Sequence, residues 1–187
     1  MRLLASLAAT ALLAGACGGA ATPAPTAAPT ATPTQAPTAT PQLKYTFVAD
    51  LKPSNEVPPI ANAEASCAGK GTFVLNTTKD ATGKITAATA DFELTVTACP
   101  ANTNLTLFHI HKAAAGANGG PVVTGKGDAA SPITLATGAT ASPITRTGIT
   151  VDPAVATEII AGPAGYYLNV HSQANGGGVL RGQLGAG

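Results

Sequence analysis

The chain carries three histidines, and their placement is the most chemically pointed feature of its 187 residues. Two are separated by a single residue in Phe108-His109-Ile110-His111, and the third closes Leu168-Asn169-Val170-His171. On a β-strand, residues i and i+2 project from the same face, so His109 and His111 can converge on one point while Phe108 and Ile110 face the other way. A third imidazole from another strand completes a set of three neutral nitrogen donors. Such a set suits Cu(II), Zn(II) or Ni(II) better than hard cations. The competing reading is structural, with each strand histidine hydrogen-bonded to a carbonyl of the loop that follows it.

Those loops echo each other. His111 leads into Ala117-Asn118-Gly119-Gly120-Pro121, and His171 into Ala174-Asn175-Gly176-Gly177-Gly178. Asn-Gly readily takes positive φ, so each histidine is expected to precede a tight turn and a return strand. Other chemistries have less to stand on. There is no Ser-His-Asp order, no Walker loop and no H-E-x-x-H helix, and no cue singles out a glycosidase pair among the nine carboxylates. Glu56, before Val57-Pro58-Pro59, is either a functional carboxylate or an acceptor for backbone N–H groups that fixes an extended Pro-rich turn. Of Tyr166 and Tyr167, alternation puts one in the core and the other near the histidine face.

The elements around these residues read as β. Tyr45, Phe47, Ala49 and Leu51 alternate in a first strand, Gly71 to Asn76 forms a second, and a third starts near Ile85 and ends with Phe92, Leu94 and Val96 on one face. The parity switch between Ile85 and Phe92 predicts a bulge around residues 87–90. Leu105–His111, Thr147–Val151, Tyr166–His171 and Val179–Leu184 follow, with weaker candidates at Pro121–Thr124 and Ile133–Leu135. One helix is expected, with Asp152 as N-cap and Pro153 at its first position, ending before Gly162-Pro163. Seven to nine short strands between Gly and Pro turns predict an all-β Greek-key sandwich or flattened barrel.

The N-terminal residues carry an address. One positive charge, an apolar run from Leu3 to Leu13 and small residues before Cys17 form a signal peptide over residues 1–16. A Cys after small residues resembles the bacterial lipobox, although Leu13 stands four residues before Cys17 where that motif has Leu at three; an ordinary signal peptide cut near Ala16 is the alternative. Residues 17–42 then hold the lipidated Cys17 and a tether, whose stretch from Ala20 has eight Ala, seven Thr, six Pro and two Gln and no charge. A chain of that kind cannot repay its ordering entropy and stays extended, at about 3.1 Å per residue. Residues 43–187 are the domain. With Cys17 lipidated, Cys67 and Cys99 remain as a pair that an oxidising compartment joins as a disulfide; metal ligation is the weaker alternative, since neither sits in a C-x-x-C motif.

Composition supports this partition. Only 10% of residues are charged and 4% aromatic, which argues against coiled coils and long-helix bundles. The formal net charge of +1 comes from Arg2 in the signal, because the domain balances nine basic against nine acidic residues. Nothing here could neutralise a run of phosphates, so nucleic acid is not an expected partner.

Four motifs in order resemble the CHRD domain, the module named after chordin. They are Asn55-Glu56-Val57-Pro58-Pro59; His109-Ile110-His111 with Gly116, Asn118-Gly119 and Pro121-Val122-Val123; Tyr167-Leu168-Asn169-Val170-His171; and Gly178-Val179-Leu180-Arg181-Gly182-Gln183-Leu184. In chordin-like animal proteins such modules are linked to binding a secreted growth factor. That partner does not exist for a bacterial lipoprotein, so the resemblance implies an architecture and little function. With the lipobox reading, the first expectation is a non-catalytic binding module, tethered to a membrane by its lipid at the cell surface or in the periplasm, for an unknown protein or envelope ligand. Glu56, Pro58, Pro59, Asn118 and Asn169 are then structural motif residues. More distantly, Phe108-His109-Ile110-His111, Asn169-Val170-His171 and Gly177-Gly178-Val179-Leu180-Arg181 are similar in order to segments of copper–zinc superoxide dismutase. That likeness implies a superoxide-dismutase-like or immunoglobulin-like sandwich, copper (or zinc) on His109, His111 and His171, and Arg181 as an anion-guiding cation. The family's fourth, bridging histidine has no counterpart here. A dismutase-like copper redox enzyme and a purely structural or adhesive envelope module are the alternatives, the latter with Arg181 as a salt-bridge or loop-capping residue.

Overall fold

The computed structural model describes residues 42–187. The expected signal segment, Cys17 and all of the expected tether except Gln42 lie outside the described residues. Ten strands run β1 (Gln42–Leu51), β2 (Ala68–Lys79), β3 (Ile85–Thr97), β4 (Thr103–Lys112), β5 (Pro121–Lys126), β6 (Ile133–Leu135), β7 (Ile144–Val151), β8 (Tyr166–Ser172), β9 (Leu180–Gln183) and β10 (Gly185–Ala186). One helix, α1 (Pro153–Ala161), lies between β7 and β8. The strands form two antiparallel sheets, ordered β10-β1-β2-β3-β7 and β5-β4-β8-β9, with β6 paired to the start of β4. The chain is therefore an all-β sandwich. Three consecutive strands stay in the first sheet before the chain crosses, whereas an immunoglobulin sandwich crosses after two. The connectivity is not the immunoglobulin one.

Alternation builds the core. Phe47 pairs with Phe73 across β1 and β2, and Phe73 with Phe92 across β2 and β3. Their rings stand 6.1 and 5.0 Å apart, and Phe92 meets Phe108 of the opposite sheet edge-on at 5.6 Å. All four phenylalanines of the protein thus form one row joining the two sheets. Truncating a buried Phe to Ala costs about 3–5 kcal/mol. Gly125 of β5 makes room for the row's end: a Cβ there would sit 2.2 Å from the Phe108 ring.

The bulge in β3 falls slightly earlier than its sequence predicts. Thr78 pairs with Ala87 but Lys79 with Ile85, leaving Thr86 as the extra residue. Burial accordingly skips from Ile85 to Ala88 before resuming its alternation. α1 starts as expected, with the Asp152 carboxylate accepting from Ala154 N–H at 2.7 Å, and it buries Ala156 and Ile159. A disulfide joins Cys67 to Cys99, 32 residues apart. It fastens the short 3-10 turn Ala63–Ser66 to the segment after β3.

β8 is the exception to alternation, since all seven of its residues are buried. Its inner face lies on the core. Its outer face is covered by the segment after β1 and by the loops after β4 and β8, which carry the chemistry.

Candidate metal centre

Antiparallel pairing of β4 with β8 sets Leu107 opposite His171, His109 opposite Asn169 and His111 opposite Tyr167. Phe108, Ile110, Leu168 and Val170 go to the core, so His109, His111, Tyr167, Asn169 and His171 share the outer face. The loops leave the three histidines only 7–9% exposed. Ring centroids lie 5.3 Å apart for His109 and His111, 4.9 Å for His109 and His171, and 6.1 Å for His111 and His171. One nitrogen from each ring lies within 4.8 Å of the others, so the three form a group that could hold a metal ion.

Hydrogen bonds select which nitrogens those are. His111 Nδ1 lies 2.8 Å from the Gly119 carbonyl, and His171 Nδ1 lies 2.9 Å from the Gly176 carbonyl. A carbonyl only accepts, so both Nδ1 atoms carry the proton and both Nε2 atoms present lone pairs. His111 Nε2 is 3.3 Å from His109 Nδ1. Two nitrogens bound tetrahedrally at about 2.0–2.1 Å to one ion stand about 3.3 Å apart, so this pair has the spacing of ligands. His171 Nε2 is buried and has no hydrogen-bond partner among the described residues. An orphaned basic nitrogen beside two other imidazoles is what a metal centre leaves when its ligands are considered without the ion.

Electrostatics favour the neutral, ligating form. Burial, together with the neighbouring His171 and His111, lowers the His109 pKa to about 4. Burial also lowers those of His111 and His171, against the Gly119 and Gly176 hydrogen bonds that raise them.

The surrounding residues hold the two loops. Arg181, on the outer face of β9, is 1% exposed. Its guanidinium donates to the carbonyls of Ala114 (3.0 Å) and Ala117 (2.7 Å), to Asn118 Oδ1 (3.2 Å) and to Gln183 Oε1 (3.4 Å). It also lies 3.6 Å from the centre of the Tyr167 ring, which stacks on His111 at 4.9 Å. This is the geometry of a loop cap. Guiding an anion requires a cation with an open face, and Arg181 presents none. Asn118 completes the link by donating to the Val57 carbonyl at 2.8 Å.

Glu56 is buried at 6% exposure, and its donor is the Asn169 side-chain amide at 2.7 Å rather than a backbone N–H. Pro58 and Pro59 line a small cavity beside it, after a cis Val57–Pro58 peptide. The positive-φ glycines of the two loops are Gly116 and Gly178, not the Gly119 and Gly176 that follow the asparagines. Gly119 and Gly176 supply carbonyls to the histidines instead.

One residue escaped the sequence reading. Glu64, 7% exposed, accepts from Ser172 Oγ and Asn175 Nδ2, and so fixes the loop that carries Gly176. Its only local signal is Asn62, which caps the 3-10 turn by accepting from Glu64 N–H at 3.0 Å.

An all-β sandwich with a covered three-histidine group on one outer face is the class of protein these observations define. Residues 47–184 match the family model of the CHRD domain, and the chain belongs to that family. No curated protein and no solved structure matches it significantly.

Proposed function

We propose that this CHRD protein is a non-catalytic, extracytoplasmic binding module that holds one transition-metal ion, copper in preference to zinc, between His109, His111 and His171. The observation that carries the reading is the unpartnered, buried His171 Nε2 beside His111 Nε2 and His109 Nδ1. Three neutral imidazoles favour Cu(II) over other divalent first-row ions. The bonds from Nδ1 to Gly119 and Gly176 are the outer shell that fixes tautomer and ring orientation in such sites. A bound copper would supply a redox-active Lewis acid. The chain's own residues orient the rings, exclude water and keep the nitrogens unprotonated. His109 Nδ1 donates to the His111 Nε2 lone pair, so for His109 Nδ1 to serve as a ligand its proton would have to sit on Nε2 of the same ring. Lipid on Cys17 and the tether would hold the domain at a membrane surface.

The structural reading, in which the histidines only organise loops, is favoured by those same Nδ1–carbonyl bonds. It leaves the orphaned Nε2 without a reason. Electron paramagnetic resonance of the Cu(II)-loaded protein separates the two: nitrogen couplings from three imidazoles are expected, falling to two in His171→Ala. A spectrum identical to copper in buffer would leave the structural reading standing. Anchoring is tested apart, by release of the Cys17→Ser variant from membranes.

A further inference from the structure

A separate cleft of about 930 Å³ is lined by parts of β1, β2 and β9 and by the loops carrying Glu56 and Gly116. None of the three histidines lines it. Glu56 lies in its wall, and also in that of the smaller cavity of about 300 Å³ beside Pro58 and Pro59.

The carboxylate is fixed from one side only. Oε1 accepts from Asn169, and it is backed by Gly178, where a Cβ would fall 2.7 Å from both Oε1 and the Asn169 amide atoms. Gly178 also has φ 133°, so a side chain is excluded there twice over. Oε2 has no hydrogen-bond partner among the described residues. It is not sealed either, since His171 Nε2 is the one sealed, partnerless side-chain atom among them. Oε2 therefore keeps a contact with solvent, in a residue whose neighbours are these two cavities.

The acid also lacks a cation. No ion pair among the described residues involves it, and the nearby Arg181 guanidinium is committed to loop oxygens. Burial pushes the carboxyl up to about 7 in spite of Asn169 and Arg181, which both act to lower it. Asp50 and Lys70 also line the cleft as cross-strand partners of opposite sign, and Arg181 lines it too, but its N–H groups are spent on loop oxygens, which leaves Glu56 as the one carboxylate of the cleft held without a cationic donor.

We propose that the cleft binds a primary alkylammonium group, its charge on Glu56 Oε2 and its stem along Val48, Val57 and Pro59. A guanidinium needs both carboxylate oxygens for its fork, and one is already taken by Asn169; an ammonium is a point charge that needs one. The apolar wall suits methylene groups, as the stems of lysine side chains do elsewhere. A free amine and a lysine of a protein or peptide offer the same chemistry.

Titration calorimetry of the full chain with n-pentylamine, N-acetyl-lysine amide and n-pentanol tests this. At least one amine should bind, with the uncharged alcohol weaker by about tenfold or more, a difference of about 1.4 kcal/mol. Pentylamine binding identifies a free amine as sufficient, and binding of the lysine amide alone identifies a peptide side chain. Glu56→Gln should weaken the amine by about tenfold or more. Val48→Trp, which narrows the cleft and leaves Glu56 intact, should do the same and serves if the first variant misfolds. Equal binding of amine and alcohol, no amine binding at millimolar concentration, or amine binding unchanged in the folded variants would overturn the proposal.

Discussion

Loop 113–120 lends the Gly119 carbonyl to His111 and is held by a buried cation, Arg181, which donates to two of its carbonyls and to Asn118. Loop 173–179 lends the Gly176 carbonyl to His171 and is held by a buried anion, Glu64, which accepts from Ser172 and Asn175. The difference lies in how replaceable each anchor is. Bare backbone carbonyls need a donor with several arms, and a guanidinium has five N–H groups in one plane. The second loop divides its bonds among Glu64, Ser172, Asn175 and Asn62, so no one residue carries it. The histidines differ correspondingly. His111 is stacked on Tyr167 and bonded at both nitrogens, whereas His171 keeps one nitrogen free. The first half of the group is preset, and the second is where an ion has most to gain.

That contrast breaks most visibly at Arg181. Arg181→Ala removes the donor to the part-buried carbonyls of Ala114 and Ala117 and should lower unfolding free energy by about 1–3 kcal/mol in a denaturant titration. Arg181→Lys should recover little, because one ammonium cannot reach Ala114, Ala117 and Asn118 together. Equal stability of the Lys variant and wild type would mean that the charge, not the fork, holds the loop.

Acid comes next. The folded pKa of His109 is depressed from 6.5 to about 4, so the unfolded chain binds more protons between those values. Stability from this group is complete above the unfolded pKa and is lost as pH falls through about 4, on the order of 3 kcal/mol for His109. His111 and His171 shift in the same direction. Glu56 works oppositely: its pKa is raised from 4.5 to about 7, so its contribution is present at low pH and is lost as pH rises through about 7. Thermal melts across this range should show acid destabilisation that weakens in His109→Ala, and an alkaline-side loss that weakens in Glu56→Gln. Because the two shifts oppose each other between about pH 4 and 7, the comparison is between variants: a profile unchanged by His109→Ala would contradict the burial of the histidines.

The disulfide bears on the second loop, because Cys67 ends the turn that carries Glu64. Closing a loop of this length is worth about 3–4 kcal/mol, so a Cys67→Ser, Cys99→Ser double variant should lose about that amount in denaturant titration. Amide exchange should rise around residues 63–66 and 172–176 more than around 113–120. Glu64→Gln is the mildest change, keeping an acceptor but no charge, with about 1–2 kcal/mol expected and His171 affected before His111 in histidine NMR shifts.

Much of the fold was legible because it is written in period two. Phe47, Ala49 and Leu51, or Phe92, Leu94 and Val96, need no partner to declare their inner face, and Asp152-Pro153 declares a helix start by local chemistry. The two-residue β10 has no period to read. The histidine group was legible halfway: His109 and His111 share a face by spacing alone, but their meeting with His171 depends on the register of β4 against β8, which is nonlocal. Glu64 escaped for the same reason, and Arg181, although open to reading as a loop cap, could not be assigned its loop. Each acts on a loop 60 or more residues away, at |i−j| of 64 for Arg181–Ala117 and 108 for Glu64–Ser172, and nothing in the neighbouring residues encodes such a contact. The positions of positive φ were misread because an Asn-Gly pair signals a turn without saying which glycine of a Gly-rich loop will make it.

The metal content of the purified protein, prepared without a histidine tag and exposed to Cu(II) and Zn(II), tests the three-histidine centre most directly. One equivalent of copper per chain should be retained through buffer exchange in the wild type, and lost in His109→Ala, His111→Ala and His171→Ala, each shown to be folded. Failure of the wild type to hold any transition metal at micromolar concentration, or equal retention in the folded His171→Ala variant, would contradict it.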